Sequence, residues 1–140
     1  MRTSQQVRPI YITKPDHDRL QQLVQLERHA HGNERVEALS HELKRAQLVN
    51  SYDVLPDVIT MNSRVKLRDM RSNAELEITL VYPKYADMKS RKISILAPVA
   101  TAVLGCRVGD TVVWPVPNGE AKYWVEAILH QPEAAGDWVS

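Results

Sequence analysis

The residue types that invite chemistry in this 140-residue chain are five histidines, a single cysteine and a group of acids around Gly32. His29 and His31 stand two apart at the end of a helical stretch, where successive side chains diverge. Zinc needs three or four converging ligands, and no Cys-x-x-Cys or His-Glu-x-x-His spacing supplies them, so neither a metal site nor a cofactor is expected. Cys106 lies between Gly105 and Arg107-Val108-Gly109, a turn context that suits a packed thiol better than a nucleophile with a base beside it. The five glycines are too scattered to assemble a dinucleotide or P-loop cradle. Glu34 and Glu37, three apart, can share one helix face and so present two acids to a magnesium ion held elsewhere. With Glu27, they are explained equally well as solvated acids, two of them favourably placed near a helix N-terminus. Arg64, Lys66 and Arg68 make a basic stripe at strand period, which Glu75 and Glu77 blunt, so a solvated sheet face outweighs a nucleic-acid surface. No catalytic residue emerges, and the chain reads as a non-enzyme.

The elements that must position these residues fall into two parts. Thr13 followed by Asp16 resembles a capping box with an acid in place of Glu, and Pro15 suits a first helical turn. Leu20, Leu23, Val24, Glu27 and Ala30 then share one side of a helix that Gly32 stops. Asn33 is placed to cap a second helix, whose Val36, Leu39, Leu43 and Ala46 repeat at coiled-coil spacing. Joined by so few residues, the two helices must run antiparallel, with about 16 residues and about 24 Å in each arm. The alternative is a helical pair packed on the rest of the protein, because so short a seam is marginal alone.

Beyond Asp57 the pattern changes to strands. Val65 and Leu67 alternate with the basic stripe, and Leu76, Ile78 and Leu80 alternate with Glu75, Glu77 and Thr79, which predicts a hairpin turning at Arg71 to Ala74 with charge pairs across it. Lys92 to Leu96 reads as a third strand and Val99 to Leu104 as a short helix ended by Gly105. Thr111 to Trp114 and the mixed segment Tyr123 to His130, turning through Asn118-Gly119, complete the sheet.

Composition bounds the rest. With 18 basic and 17 acidic side chains the net charge is +1, too small for an overall field that attracts nucleic acid or an anionic membrane. Met1 to Ile10 lacks a secretory pattern and no apolar run is long enough to span a bilayer, so the expected location is cytoplasmic. One cysteine permits no internal disulfide, and a chain 44% apolar must hold by packing.

The stretch Ser94-Ile95-Leu96-Ala97-Pro98-Val99-Ala100-Thr101-Ala102-Val103-Leu104-Gly105-Cys106-Arg107-Val108-Gly109-Asp110 resembles the C-terminal signature of the GreA/GreB transcript cleavage factors. Asp57-Val58-Ile59-Thr60-Met61-Asn62-Ser63-Arg64-Val65 and Gln131-Pro132-Glu133-Ala134-Ala135-Gly136-Asp137 resemble segments of the Rnk-type regulators of nucleoside diphosphate kinase, the closer likeness. The resemblance implies an α+β protein: a short antiparallel coiled-coil hairpin over residues 13–50, then an FKBP-like antiparallel sheet with a short helix over residues 51–140. It further implies a monomer whose partner is RNA polymerase, with no membrane and no sequence-specific nucleic-acid contact. Ser94, Leu96 and Pro98 match the loop that docks on the rim of the polymerase secondary channel, and His31, Gly32, Asn33 and Glu34 form the hairpin tip. An acid often found in that loop is Leu96 here, implying a more apolar or weaker contact. The arm is too short to carry acids to the catalytic centre as Gre factors do. The implied function is therefore a competitor of Gre-type factors, with an indirect effect on nucleoside diphosphate kinase levels. The alternative is a prolyl isomerase or other FKBP-like protein-binding module, which would need an aromatic pocket from Tyr82, Tyr85, Trp114, Tyr123 and Trp124.

Overall fold

The computed structural model describes residues 9–136; Met1 to Arg8, and Asp137 of the third motif, lie outside the described residues. Thr13 starts the first helix as its type predicts. Its extended backbone and side-chain oxygen, which accepts from the Asp16 amide at 3.3 Å, cap α1 (Lys14–His31). The Asp16 carboxylate does not complete the capping box. It turns inward and accepts from the Met61 amide at 3.1 Å, tying the helix to the segment before the sheet. Burial pushes that carboxyl up to about 6, and the nearby Glu133 carboxylate pushes the same way, while the Met61 hydrogen bond opposes them.

Gly32 ends α1 at φ +86°, with its amide donating to the Arg28 carbonyl at 2.8 Å. The second arm differs from the expectation. Asn33 adopts a helical rather than an extended backbone and its side chain caps nothing; a 3-10 turn, Glu34–Val36, comes first. Helix α2 (Glu37–Arg45) therefore has nine residues, about 13 Å at the usual rise. It stops before Ala46 because the chain leaves to form β2 (Gln47–Val49), which runs parallel to β1 (Tyr11–Thr13). This two-stranded pair lies outside the elements expected from the sequence, in which Thr13 begins the first helix and no strand precedes it. The helices are antiparallel: the His17 imidazole donates to the Leu43 carbonyl at 3.2 Å near their base, and Glu27 lies 3.8 Å from Arg35 near the tip.

The five-stranded sheet has the order β5 (Lys92–Ser94), β4 (Glu75–Val81), β3 (Arg64–Asp69), β7 (Gly119–His130), β6 (Thr111–Val116). Strands β3 (Arg64–Asp69) and β4 (Glu75–Val81) form the predicted antiparallel hairpin, with Arg64 facing Glu77 at 3.4 Å and Arg68 facing Glu75 at 3.8 Å. Arg68 also meets Glu126 at 2.7 Å, so the basic stripe is paired across two strands. Strand β7 (Gly119–His130) lies between β3 and β6 (Thr111–Val116), and register shifts against β3 account for its mixed pattern, since each bulge moves the alternation by one residue. The sheet is not wholly antiparallel, contrary to expectation. Two 3-10 turns, Pro83–Tyr85 and Met88–Ser90, carry the chain back so that β5 (Lys92–Ser94) joins β4 in parallel at the edge.

One hydrophobic core joins these pieces. Leu20, Val24, Val36, Leu39 and Leu43 of the helical pair enter the same buried cluster as Ile10, Ile12, Ile59, Leu67, Leu80, Ile95 and Leu104. The seam is thus shared with the rest of the protein and does not stand alone, which removes the penalty that isolated short helices bear. Gly105 sits where the parts meet: it has φ +80°, its carbonyl accepts from the Tyr11 amide at 3.1 Å, and a Cβ there would stand 2.9 Å from the Ile10 Cβ.

Candidate functional site

The loop from Ser94 to Pro98 is built as a rigid turn. Ile95 is fully buried and donates its amide to the Val81 carbonyl at 2.8 Å, continuing the β4–β5 pairing by one residue. The Ser94 hydroxyl accepts from the Leu96 amide at 3.1 Å, and the Ala97 amide donates to the Ser94 carbonyl at 2.9 Å. From beneath, the buried Thr101 hydroxyl donates to the Ile95 carbonyl at 2.6 Å. Pro98 opens α3 (Pro98–Val103), where its fixed φ and missing N–H cost nothing. Ser94 shapes the turn, Leu96 is half-buried and Pro98 is exposed.

Leu96 and Pro98 of the loop line a groove of about 380 Å³ together with Glu34, Arg35, Ala38 and Glu42 of the helical pair and Trp114 of the sheet. The structure therefore brings the loop together with one of the predicted tip residues, Glu34. His31, Gly32 and Asn33 are exposed but do not line the groove. Arg35, Ala38, Glu42 and Trp114 were not anticipated. A signal for two of these existed: Ala38 and Glu42 follow the predicted Glu34 at spacings of four, on the side of the helix away from the Val36, Leu39 and Leu43 seam.

The remaining candidates resolve separately. His31 Nδ1 lies 3.2 Å from Glu27, which also faces Arg35, so the acid nearest the end of α1 is engaged by two basic groups. Glu42 pairs with Arg45 at 2.8 Å. Cys106 is buried and its thiol donates to the Ala102 carbonyl at 3.5 Å, in keeping with turn packing. The five aromatic residues proposed for an isomerase pocket are dispersed. Trp114 and Tyr123 stack at 5.0 Å, Tyr82 and Tyr85 line a different groove against α1, and Trp124 alternates to the side of β7 opposite Tyr123. Among the described residues no helix is long and apolar enough to cross a membrane.

A mixed sheet covered by a short helix, a proline-bearing turn held by Thr101 and a short helical pair together define an α+β domain. Comparison with known proteins assigns it. The description "Transcription elongation factor, GreA/GreB, C-term" matches residues 54–130, and "Rnk N-terminus" matches residues 8–49. The chain belongs to the GreA/GreB family, in its Rnk branch. It is 41% identical to the "Regulator of nucleoside diphosphate kinase" of Escherichia coli (strain K12), over 93% of this chain and 96% of that protein. It is 37% identical to the "Transcription elongation factor GreA" of Syntrophomonas wolfei over 64% of this chain and 56% of that one. A solved structure, a "Prokaryotic transcription elongation factor GreA/GreB from Nitrosomonas europaea", superposes with a TM-score of 0.71 at 37% identity, covering 88% of this chain and 99% of that chain. These relatives are regulators and transcription factors by name.

Proposed function

We propose that this protein is a non-catalytic transcription regulator that docks on RNA polymerase at the rim of the secondary channel and excludes Gre-type factors by occupying their place. The observation that carries the reading is the loop: a turn fixed by four hydrogen bonds presents Leu96 and Pro98 to a groove that the helical pair also lines. A partner that enters the groove from the loop meets Glu34 and Ala38 as well. The helical pair supports occupancy without chemistry. Its longer helix has 18 residues, about 27 Å at the usual rise, and Glu27 near its end is tied to His31 and Arg35 instead of being offered to a metal.

In this reading residues 51–140 serve as an FKBP-like docking part and residues 13–50 as a coiled-coil stub entering the channel mouth. The protein acts as a cytoplasmic monomer, and any change in nucleoside diphosphate kinase levels follows indirectly from transcription. Competition of this kind depends on concentration, so cellular abundance sets its strength. Pro98 is exposed, so its replacement tests the loop without removing core packing. The Pro98→Asp variant should remain folded by circular dichroism and bind core RNA polymerase at least about tenfold more weakly, as loss of a central interface residue does. Unchanged affinity in the folded variant would contradict docking through this loop.

A further inference from the structure

A second groove, of about 640 Å³, lies between α1 and the turn that follows β4. Leu23 and Leu26 form its helical wall, Tyr82 and Tyr85 the opposite wall, and Arg19 and Lys84 supply its charge. Leu26 is 71% exposed and Tyr85 56% exposed, although the apolar stripe of a surface helix ordinarily turns inward. Among the described residues no carboxylate lines the groove, although the buried Asp16 carboxyl lies near enough to Arg19 and Tyr82 to act on both electrostatically. The chain leading on from Tyr85 adds the exposed cations Lys89, Arg91 and Lys92, while its acid, Asp87, accepts from the Lys89 amide at 3.2 Å and the Ser90 hydroxyl at 3.0 Å. This face is therefore locally basic and apolar in a chain of net charge +1.

We propose that the groove is a second docking surface, and that it takes an acidic segment of RNA polymerase anchored by apolar side chains. The inference rests on polymerase being the partner and extends the contact beyond the loop. Chain connectivity links the two surfaces: Tyr82 follows Val81, whose carbonyl holds the Ile95 amide at the start of the loop that carries Leu96 and Pro98. Charge complementarity sets the chemistry, with Lys84 and the neighbouring Lys89, Arg91 and Lys92 facing acids and Leu26 and Tyr85 receiving the anchors. A single-stranded nucleic acid fits less well. Leucines offer no stacking surface, and the Lys84 ammonium covers a face of the Tyr85 ring at 5.1 Å from its centroid.

The test measures binding of the full chain to core RNA polymerase for wild type, Lys84→Glu, Leu26→Asp and Pro98→Asp, at low and high salt. Lys84 and Leu26 are exposed, so the variants should fold, which circular dichroism checks. Each groove variant should lose about tenfold in affinity at low salt. The Lys84→Glu loss should shrink strongly at high salt and the Leu26→Asp loss should shrink less, because the lost apolar anchor is not screened. Wild-type affinity in both folded groove variants, with Pro98→Asp impaired, would overturn the groove and leave the loop standing. Absence of binding by the wild type would overturn the groove together with the reading on which it rests. Lys84-dependent binding of a short fluorescent single-stranded RNA, with polymerase affinity unaffected, would assign the groove to nucleic acid instead.

Discussion

A carboxyl at position 16 that is only 6% exposed is a costly choice, and the structure shows what it does: it fastens the start of α1 to the Met61 amide at 3.1 Å. Sequence alone located the cap and could not see this partner, because Met61 is far along the chain and nothing local marks its amide as needing an acceptor. The same limit applies to Thr101, whose hydroxyl holds the Ile95 carbonyl, and to Arg68, whose partner Glu126 comes from a strand not adjacent in sequence. The pH consequence of Asp16 has a definite sign. Its folded pKa is raised from 3.8 to about 6, so the folded state holds the proton more tightly than the unfolded chain and stability falls as pH rises through that window. Asp16→Asn keeps an oxygen for the Met61 amide and removes the charge. It should exceed wild type above pH 6 by about 1–3 kcal/mol in urea unfolding, the gap closing below about pH 4. A variant no more stable at pH 7.5, or a gap that widens on acidification, would contradict the buried-charge account.

Among elements, those with strong periodicity were legible. Thr13, the Leu20 and Val24 stripe and Gly32 delimit α1 almost to the residue, and Gly105 ends the region of the short helix. The second helix was legible as to its face and not as to its length, since Asn33 is displaced from its capping conformation by a turn that closes its own carbonyl onto Val36 at 3.1 Å. Strand β5 was placed correctly but not its direction, which depends on two intervening turns and the left-handed Arg91 at φ +57°. The short parallel pair β1 and β2 escaped notice because three residues carry no readable alternation. What the helical pair contributes to the core is measurable. Leu39 is 1% exposed in a cluster shared with the sheet, so Leu39→Ala should lower global stability by about 2–5 kcal/mol in denaturant unfolding. A finger standing apart would instead lose its own helicity with the near-ultraviolet signal of Trp114 unchanged.

At the scale of the molecule, the loop residues were legible through the family motif, yet the groove they border was not. Glu34, Leu96 and Trp114 come from three separated segments, and only the packing of α2 beside α3 brings them to one surface. The wall of Leu26 and Tyr85 was equally hidden, because an exposed leucine in a helical stretch looks like any other apolar residue until its neighbours are known. The account joins these surfaces into one claim: the protein occupies the polymerase site of Gre-type factors without their chemistry. The direct measurement titrates the purified protein into core RNA polymerase carrying a fluorescently labelled GreA-type factor while transcript cleavage in stalled complexes is followed in parallel. The account predicts saturable release of the labelled factor and loss of the cleavage that factor stimulates, with no cleavage stimulated by this protein alone. Retention of the labelled factor at saturating protein, or cleavage stimulated by this protein itself, would contradict it.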